Sequence, residues 1–262
     1  MTAPTWDPQQ YLRHADHRTR PFRDLLARIS GTPARIADLG CGAGNVTALL
    51  AERWPQARIT GFDNSPQMLE QAQQYAGPLL DFAPADATTW TPDETYDLIV
   101  SNALLQWVPR HTDRFPDWLD ALTPGGIFAF QVPGNFTAPS HTLLAELRES
   151  PRWKSRLTGV GDRTAAVLEP AAYLTHLAGL GCTTDVWETT YLQLLTGDDP
   201  VLDWVKGTAL RPVLTALADD PEATSSFLTE YRDLLRTAYP CGPHGTVFPF
   251  RRIFAVARKA KR

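Results

Sequence analysis

Between Arg35 and Val132, short apolar runs alternate with segments of helical spacing, and this rhythm restricts the fold more than any other feature of the chain. Arg35 to Leu39, Arg58 to Phe62, Leu79 to Ala83, Tyr96 to Val100 and Ile127 to Val132 read as strands. Between them, Val46 to Trp54 places Val46, Leu49, Leu50 and Trp54 on one helical face, and Asp113 to Leu122 reads as a further helix. Another helix starts at Ser65-Pro66, where serine suits the cap and proline the first helical position. Strands alternating with helices imply an α/β fold whose parallel sheet is covered on both faces. Pro124-Gly125-Gly126 predicts a turn before the fifth strand.

The rhythm stops after Pro133. Residues 134–168 and 197–245 read as mostly helical, and are expected to form a cap inserted into a single domain spanning 1–262. Between them come a helix, Tyr173 to Leu180, and a long strand, Thr183 to Leu194. Val247 to Arg258 reads as the last strand, with Phe254–Val256 expected to pair antiparallel with Tyr191–Leu194. Residues 1–30 read as a helical arm crowded with His14, His17, Arg18, Arg20 and Arg23.

Composition excludes several classes. With 43% hydrophobic and 21% charged residues, a chain of 262 residues is not disordered wholesale. Its apolar runs fall far short of the roughly 18–20 residues that span a bilayer. Met1 to Gln10 lacks a basic-then-apolar layout, so no secretory signal is expected. Cys41, Cys182 and Cys241 are odd in number and widely spaced, which argues against a disulfide framework or zinc site and fits a reducing cytoplasm. A net charge of −4 offers nucleic acid no general attraction. Trp153, Lys154 and Arg156 read as a solvated face rather than a nucleic-acid patch.

The chemistry concentrates in Asp38-Leu39-Gly40-Cys41-Gly42-Ala43-Gly44-Asn45, which joins the first strand to the first helix. Glycines let a backbone turn sharply and approach a ligand, and the following helix offers unpaired N–H groups. Asp63 ends the second strand about 20 residues on, where a ribose diol is usually met. Asp86 follows the third strand. All three acids are expected at the carboxyl edge of the sheet, where such folds bind ligands. The dinucleotide pattern requires a glycine where Asn45 stands, and no phosphate-loop Gly-Lys-Ser/Thr follows. Asp38 would face a pyrophosphate badly, but would suit an amino group or a sulfonium.

Asp38 to Gly44 resembles motif I of the class I S-adenosylmethionine-dependent methyltransferases, with Asp63, Asp86 and Ser101-Asn102-Ala103 at their matching positions. Over nearly the whole chain, the sequence resembles the trans-aconitate methyltransferase family within that class. The resemblance rests on Trp6-Asp7-Pro8, Tyr11-Leu12, Arg18-Thr19-Arg20-Pro21, Asn102 to Trp107, Pro133-Gly134-Asn135 and Pro139-Ser140-His141. Asp203-Trp204, Leu210-Arg211-Pro212 and Phe250 to Phe254 complete it. It implies a Rossmann-like, mostly parallel seven-stranded sheet with its last strand antiparallel and a helical cap.

The implied reaction moves a methyl group from S-adenosylmethionine to a carboxylate of trans-aconitate or a related small polycarboxylate, releasing S-adenosylhomocysteine. The implied cofactor contacts are Asp38, Gly40, Cys41, Gly42, Asn45, Asp63, Asn64, Met68, Asp86, Ala87, Asn102, Ala103 and Gln106. The implied acceptor contacts are Tyr11, Arg18, Arg20, Trp107, Asn135, His141, Arg211 and Arg252. Arginine's planar fork suits carboxylates, although each arginine taken alone also reads as a solvated surface residue. Met68 and Trp107 also fit core packing, Tyr11 arm packing, and His141 a helix start.

Arg251 and Arg252 must face opposite ways on a strand, and the family pattern favours Arg252. No general base and no metal are expected, because a carboxyl group with a pKa near about 4 is already ionised at pH 7. Positioning alone supplies about 7–11 kcal/mol. A monomer is expected, with a weak dimer as the alternative. Competing readings are a methyltransferase for another small acceptor, a nicotinamide oxidoreductase and a non-catalytic cofactor-binding module.

Overall fold

A computed structural model describes residues 15–92, 94–161 and 167–261. Helix α1 (Ala15–Ala27) precedes β1 (Arg35–Leu39), α2 (Ala48–Arg53), β2 (Arg58–Asp63), α3 (Pro66–Ala72), β3 (Leu80–Pro84) and β4 (Tyr96–Asn102). Then come α4 (Phe115–Asp120), β5 (Leu122–Pro133), α5 (Pro139–Glu149), α6 (Lys154–Leu157), α7 (Pro170–Gly179) and β6 (Thr183–Leu195). The chain ends with α8 (Pro200–Lys206), α9 (Arg211–Ala216), α10 (Pro221–Ala238), β7 (Cys241–Gly242) and β8 (Gly245–Arg258).

The eight-stranded sheet runs β3-β2-β1-β4-β5-β8-β6, with the two-residue β7 paired to β8. β1 to β5 are parallel, and β8 is antiparallel to β5, from Ile127↔Arg258 to Pro133↔Arg252. The order reverses at β1, which lies between β2 and β4. A crevice opens at such a reversal, outside the carboxyl ends of the strands.

The described residues form two compact units. A sheet unit comprises those within 15–133, 165–189 and 252–262, and a helical unit those within 134–164 and 190–251. Each has its own core. Trp90, Tyr96, Phe115, Trp118, Phe128, Phe130 and Tyr173 pack in the sheet unit. Phe115 and Phe128 meet edge-on at 5.1 Å, and Phe130 and Tyr173 at 5.0 Å. His111 Nε2 lies 2.7 Å from the Tyr173 hydroxyl, and burial lowers its pKa to about 4, so this imidazole is neutral at pH 7. α1 buries Phe22, Leu25 and Leu26 at helical spacing and packs on β5, and Ile29, just past its end, is buried too. In the helical unit, Trp153, Trp204, Phe227, Tyr231, Phe248 and Phe250 form the second core.

Three local expectations are corrected. Trp153 is 3% exposed and its indole N–H donates to Glu230 Oε2 at 3.0 Å, so only its charged neighbours are solvated. Arg156 pairs there with Asp220. The Pro124-Gly126 turn is absorbed into β5, which advances from Leu122 to Ile127 while β4 advances only from Tyr96 to Leu98. It survives as a bulge. Finally, β6 does not set Tyr191–Leu194 against Phe254–Val256. Trp187 stacks on Phe254 at 4.8 Å with the rings 4° apart, while Leu195 lies against Gly245. Arg28 lies over the Trp187 ring and pairs with Asp185 at 3.2 Å, closing that edge.

Candidate active site at the carboxyl edge of the sheet

The glycine loop leaves β1 with Gly40, Gly42 and Gly44 all at positive φ (77°, 56° and 80°). The N–H groups of Gly40 and Cys41 donate to the Phe62 carbonyl at 2.8 and 3.0 Å, which folds the loop over the end of β2. The glycines differ in purpose. A Cβ on Gly44 would meet Ala72 and Phe82 at 2.9 Å, so this position lets the loop pack on α3 and β3. A Cβ on Gly42 would meet no atom of the described residues within 4 Å. Gly42 therefore borders open space that a ligand can enter close to the backbone.

One acid, Asp38, begins the loop, and another, Asp63, is tied to it. Asp63 takes the Gly42 N–H on Oδ2 and the Ser65 N–H on Oδ1, both at 2.9 Å, tying the loop to the start of α3. Burial raises its pKa, against the pull of these N–H donors. The Asn64 N–H is a third donor, and a carboxylate accepts about four, so room remains for a ligand hydroxyl. Asp38 is 1% exposed. Its Oδ2 accepts from Thr47 Oγ1 at 2.7 Å, while its Oδ1 has no hydrogen-bond partner among the described residues. Burial pushes the carboxyl up to about 7, and the Asp63 charge adds to the rise. A buried carboxylate oxygen without a partner is costly, and a cationic ligand group would satisfy it.

Asp86 is exposed beyond β3, and its Oδ1 accepts from the Thr88 N–H and hydroxyl at 2.8 and 2.7 Å. These bonds, and one to the exposed Asn64, hold its carboxyl below the usual range. Ala87 and Asn45 are half-buried, and Met68 is buried on α3. Cys41 is buried too, which pushes its thiol pKa up and leaves it no nucleophilic role at neutral pH.

β4 contributes the other wall. Ser101 Oγ donates to the Leu39 carbonyl at 3.1 Å, joining β4 to β1. Asn102 Oδ1 accepts from Gln131 Nε2 at 2.7 Å. Ala103 turns left-handed at φ 57°, and its N–H donates to the Gln131 carbonyl at 2.9 Å. Gln106 donates to the Ala103 carbonyl at 2.6 Å, and its own Oε1 is buried without a partner among the described residues. Trp107 is half-buried.

The sheet unit thus carries every candidate cofactor residue at the carboxyl ends of β1 to β4. It also carries Arg252, 7% exposed on β8, whose Nη1 lies 3.4 Å from Gln131 Oε1. Arg251 belongs to the helical unit and donates to the Gly134 carbonyl at 3.1 Å. The two adjacent arginines therefore have different partners, as strand alternation requires.

Asn135, His141 and Arg211 lie in the helical unit. Asn135 is 4% exposed, with Nδ2 at 3.5 Å from His141 Nδ1 and Oδ1 unpartnered among the described residues. His141 Nδ1 also lies 3.2 Å from Ser140 Oγ in the first turn of α5. Arg211 opens α9, half-buried between the buried Leu210 and Val213. Arg20 is exposed on α1. Tyr11 and the Arg18 side chain lie outside the described residues. Sequence reasoning missed Thr47 and Gln131. Gln131 had a signal, a lone amide within the apolar run Ile127 to Val132.

A family model described as a methyltransferase domain matches residues 36–126. The fold matches that of the YcgJ protein of Bacillus subtilis with a TM-score of 0.60 at 14% identity, covering 94% of this chain and 100% of that one. Sheet order, glycine loop and acids together define a class I methyltransferase fold. The trans-aconitate 2-methyltransferase of Streptomyces coelicolor is 68% identical over 98% of this chain and 88% of its own length. That of Streptomyces avermitilis is 66% identical over 98% and 97%. The chain belongs to the trans-aconitate 2-methyltransferase family.

Proposed function

We propose that this enzyme methylates a carboxylate of trans-aconitate, forming a monomethyl ester and S-adenosylhomocysteine. The observation that carries the cofactor assignment is the unpartnered Asp38 oxygen, on the loop where Gly42 faces open space. S-adenosylmethionine, when bound, supplies the methyl group on a sulfonium. Asp38 would receive its ammonium, and Asp63 its ribose hydroxyls. Asn64, Met68, Asp86 and Ala87 would border the adenine, with the loop residues Gly40, Cys41 and Asn45 beneath it. Asn102, Ala103 and Gln106 would border the methionine end.

Acceptor carboxylates are assigned to Arg252 and Arg211, with Arg18 and Arg20 from α1. Asn135 and His141 serve as hydrogen-bonding groups, and Trp107 and Tyr11 as apolar walls. Among the described residues, the Arg211 guanidinium has neither an ion-pair nor a hydrogen-bond partner, which supports this role. The acceptor carboxylate oxygen would take that methyl group, and the electron pair of the carbon–sulfur bond would stay on sulfur. No proton moves, so the protein's task is to bind, orient and exclude water. No described helix is long and apolar enough to cross a membrane. This reading keeps the enzyme a cytoplasmic monomer.

The test is turnover by mass spectrometry with S-adenosylmethionine and trans-aconitate, cis-aconitate, isocitrate, citrate and itaconate. The expected result is a dominant trans-aconitate monomethyl ester formed together with S-adenosylhomocysteine. Cofactor binding with no ester from any acid would overturn the acceptor assignment.

A further inference from the structure

Gln131 is 1% exposed in a strand segment that is otherwise apolar from Ile127 to Val132. A buried amide must have partners at both ends or it destabilises the fold. Gln131 has them on both neighbouring strands: Asn102 Oδ1 on β4 at 2.7 Å and Arg252 Nη1 on β8 at 3.4 Å. The register explains the reach. Gln131 pairs directly with Asn102, and Arg252 pairs with Pro133, two residues along β5 on the same face.

The three side chains form a relay with only one possible polarity. A guanidinium donates hydrogen bonds and accepts none. The end of Gln131 that meets Arg252 must therefore be its oxygen, and the end that meets Asn102 its NH₂. Asn102 must then turn its own oxygen toward Gln131 and its NH₂ away. We infer that Gln131 is a positioning residue: anchored by Arg252, it commits Asn102 to present N–H donors at the carboxyl edge of β4, and so to recognise a carboxylate oxygen. This rests on the proposed methyl transfer, which offers two such oxygens, one on the methionine end of the cofactor and one on the acceptor acid. A donor aimed at an ionised oxygen makes the stronger class of hydrogen bond.

The test compares wild type with Gln131→Glu and Asn102→Asp. The carboxylate introduced by Gln131→Glu still pairs with Arg252, which keeps it ionised, but has no hydrogen to give Asn102. The Asn102 amide then turns over and presents its oxygen. Binding is measured in two arms. One compares S-adenosylhomocysteine with its decarboxylated analogue, and the other compares trans-aconitate with itaconate, which lacks one carboxylate. The expected result is that both variants reduce the preference for the carboxylate-bearing ligand by about tenfold or more in the same arm, and that arm identifies the ligand facing Asn102. Preferences equal to wild type in both arms would overturn the inference, even if all four ligands bind more weakly, because a merely structural role weakens them alike. Should Gln131→Glu not fold, Gln131→Met, which gives Asn102 no hydrogen-bond partner on β5, takes its place under the same criterion. If wild type binds neither acid, the acceptor assignment fails, while the cofactor arm still tests the relay.

Discussion

Asp38 is held by burial at a pKa of about 7, against an ordinary carboxyl value near about 4. Between those values the native protein binds a proton that the unfolded chain has released. Stability of the ligand-free protein therefore falls as pH rises through this window. The melting temperature of wild type should drop from pH 5 to 7.5 more than that of Asp38→Asn, as differential scanning fluorimetry would measure. Ligand binding has the opposite sign. A cationic group selects the ionised carboxylate, so affinity for S-adenosylhomocysteine should climb between pH 6 and 8 in wild type. Calorimetry should find the climb flattened in Asp38→Asn, and an equal climb in both proteins would remove Asp38 from the cofactor site. At Arg211, a half-buried guanidinium without a partner among the described residues has little structural work to lose. Arg211→Ala should raise the acceptor KM by about tenfold or more with cofactor affinity unchanged, and initial-rate kinetics over both ligands would separate these effects.

At the scale of elements, the strand–turn–helix from β1 to α2 uses its glycines for unlike purposes. Gly42→Ala should cost about 1 kcal/mol of stability for the left-handed backbone and weaken cofactor binding by about tenfold or more. Gly44→Ala drives a methyl into Ala72 and Phe82. It should cost about 2 kcal/mol or more, read from urea unfolding. Equal effects of the two changes on cofactor affinity would contradict this division. The same elements were largely legible beforehand. β1 and β4 read as apolar runs because they are buried on both faces, and α3 because Ser65 and Pro66 carry local capping chemistry, with Ser65 Oγ accepting from the Met68 N–H. Less legible were features set by partners distant in sequence. Pro124-Gly126 reads as a turn, yet β4 accommodates it as a bulge. The partner of each β6 residue depends on β8, and alternation alone leaves several registers equally good.

At the scale of the whole molecule, two separate cores make local opening of one unit possible without the other. Phe227→Ala in the helical core should cost about 3–5 kcal/mol. Native-state hydrogen exchange should show the loss of protection concentrated in α5, α8 and α10, with β1, β4 and β5 still slow. Uniform loss across both units would mean a single cooperative unit. The α/β alternation, the glycine loop with Asp38, Asp63 and Asp86, and the family were legible in the amino-acid order, because each is written in local spacing or in residue identity. That Asp38 Oδ1 is left without a partner among the described residues, while Asp63 takes the N–H groups of Gly42 and Ser65, follows only from the folded arrangement. So does the link that Gln131 makes between Asn102 and Arg252. Hydrogen-bond satisfaction and the pKa shifts that follow depend on atoms brought together from distant parts of the chain, and no spacing along one strand encodes which of those atoms will meet.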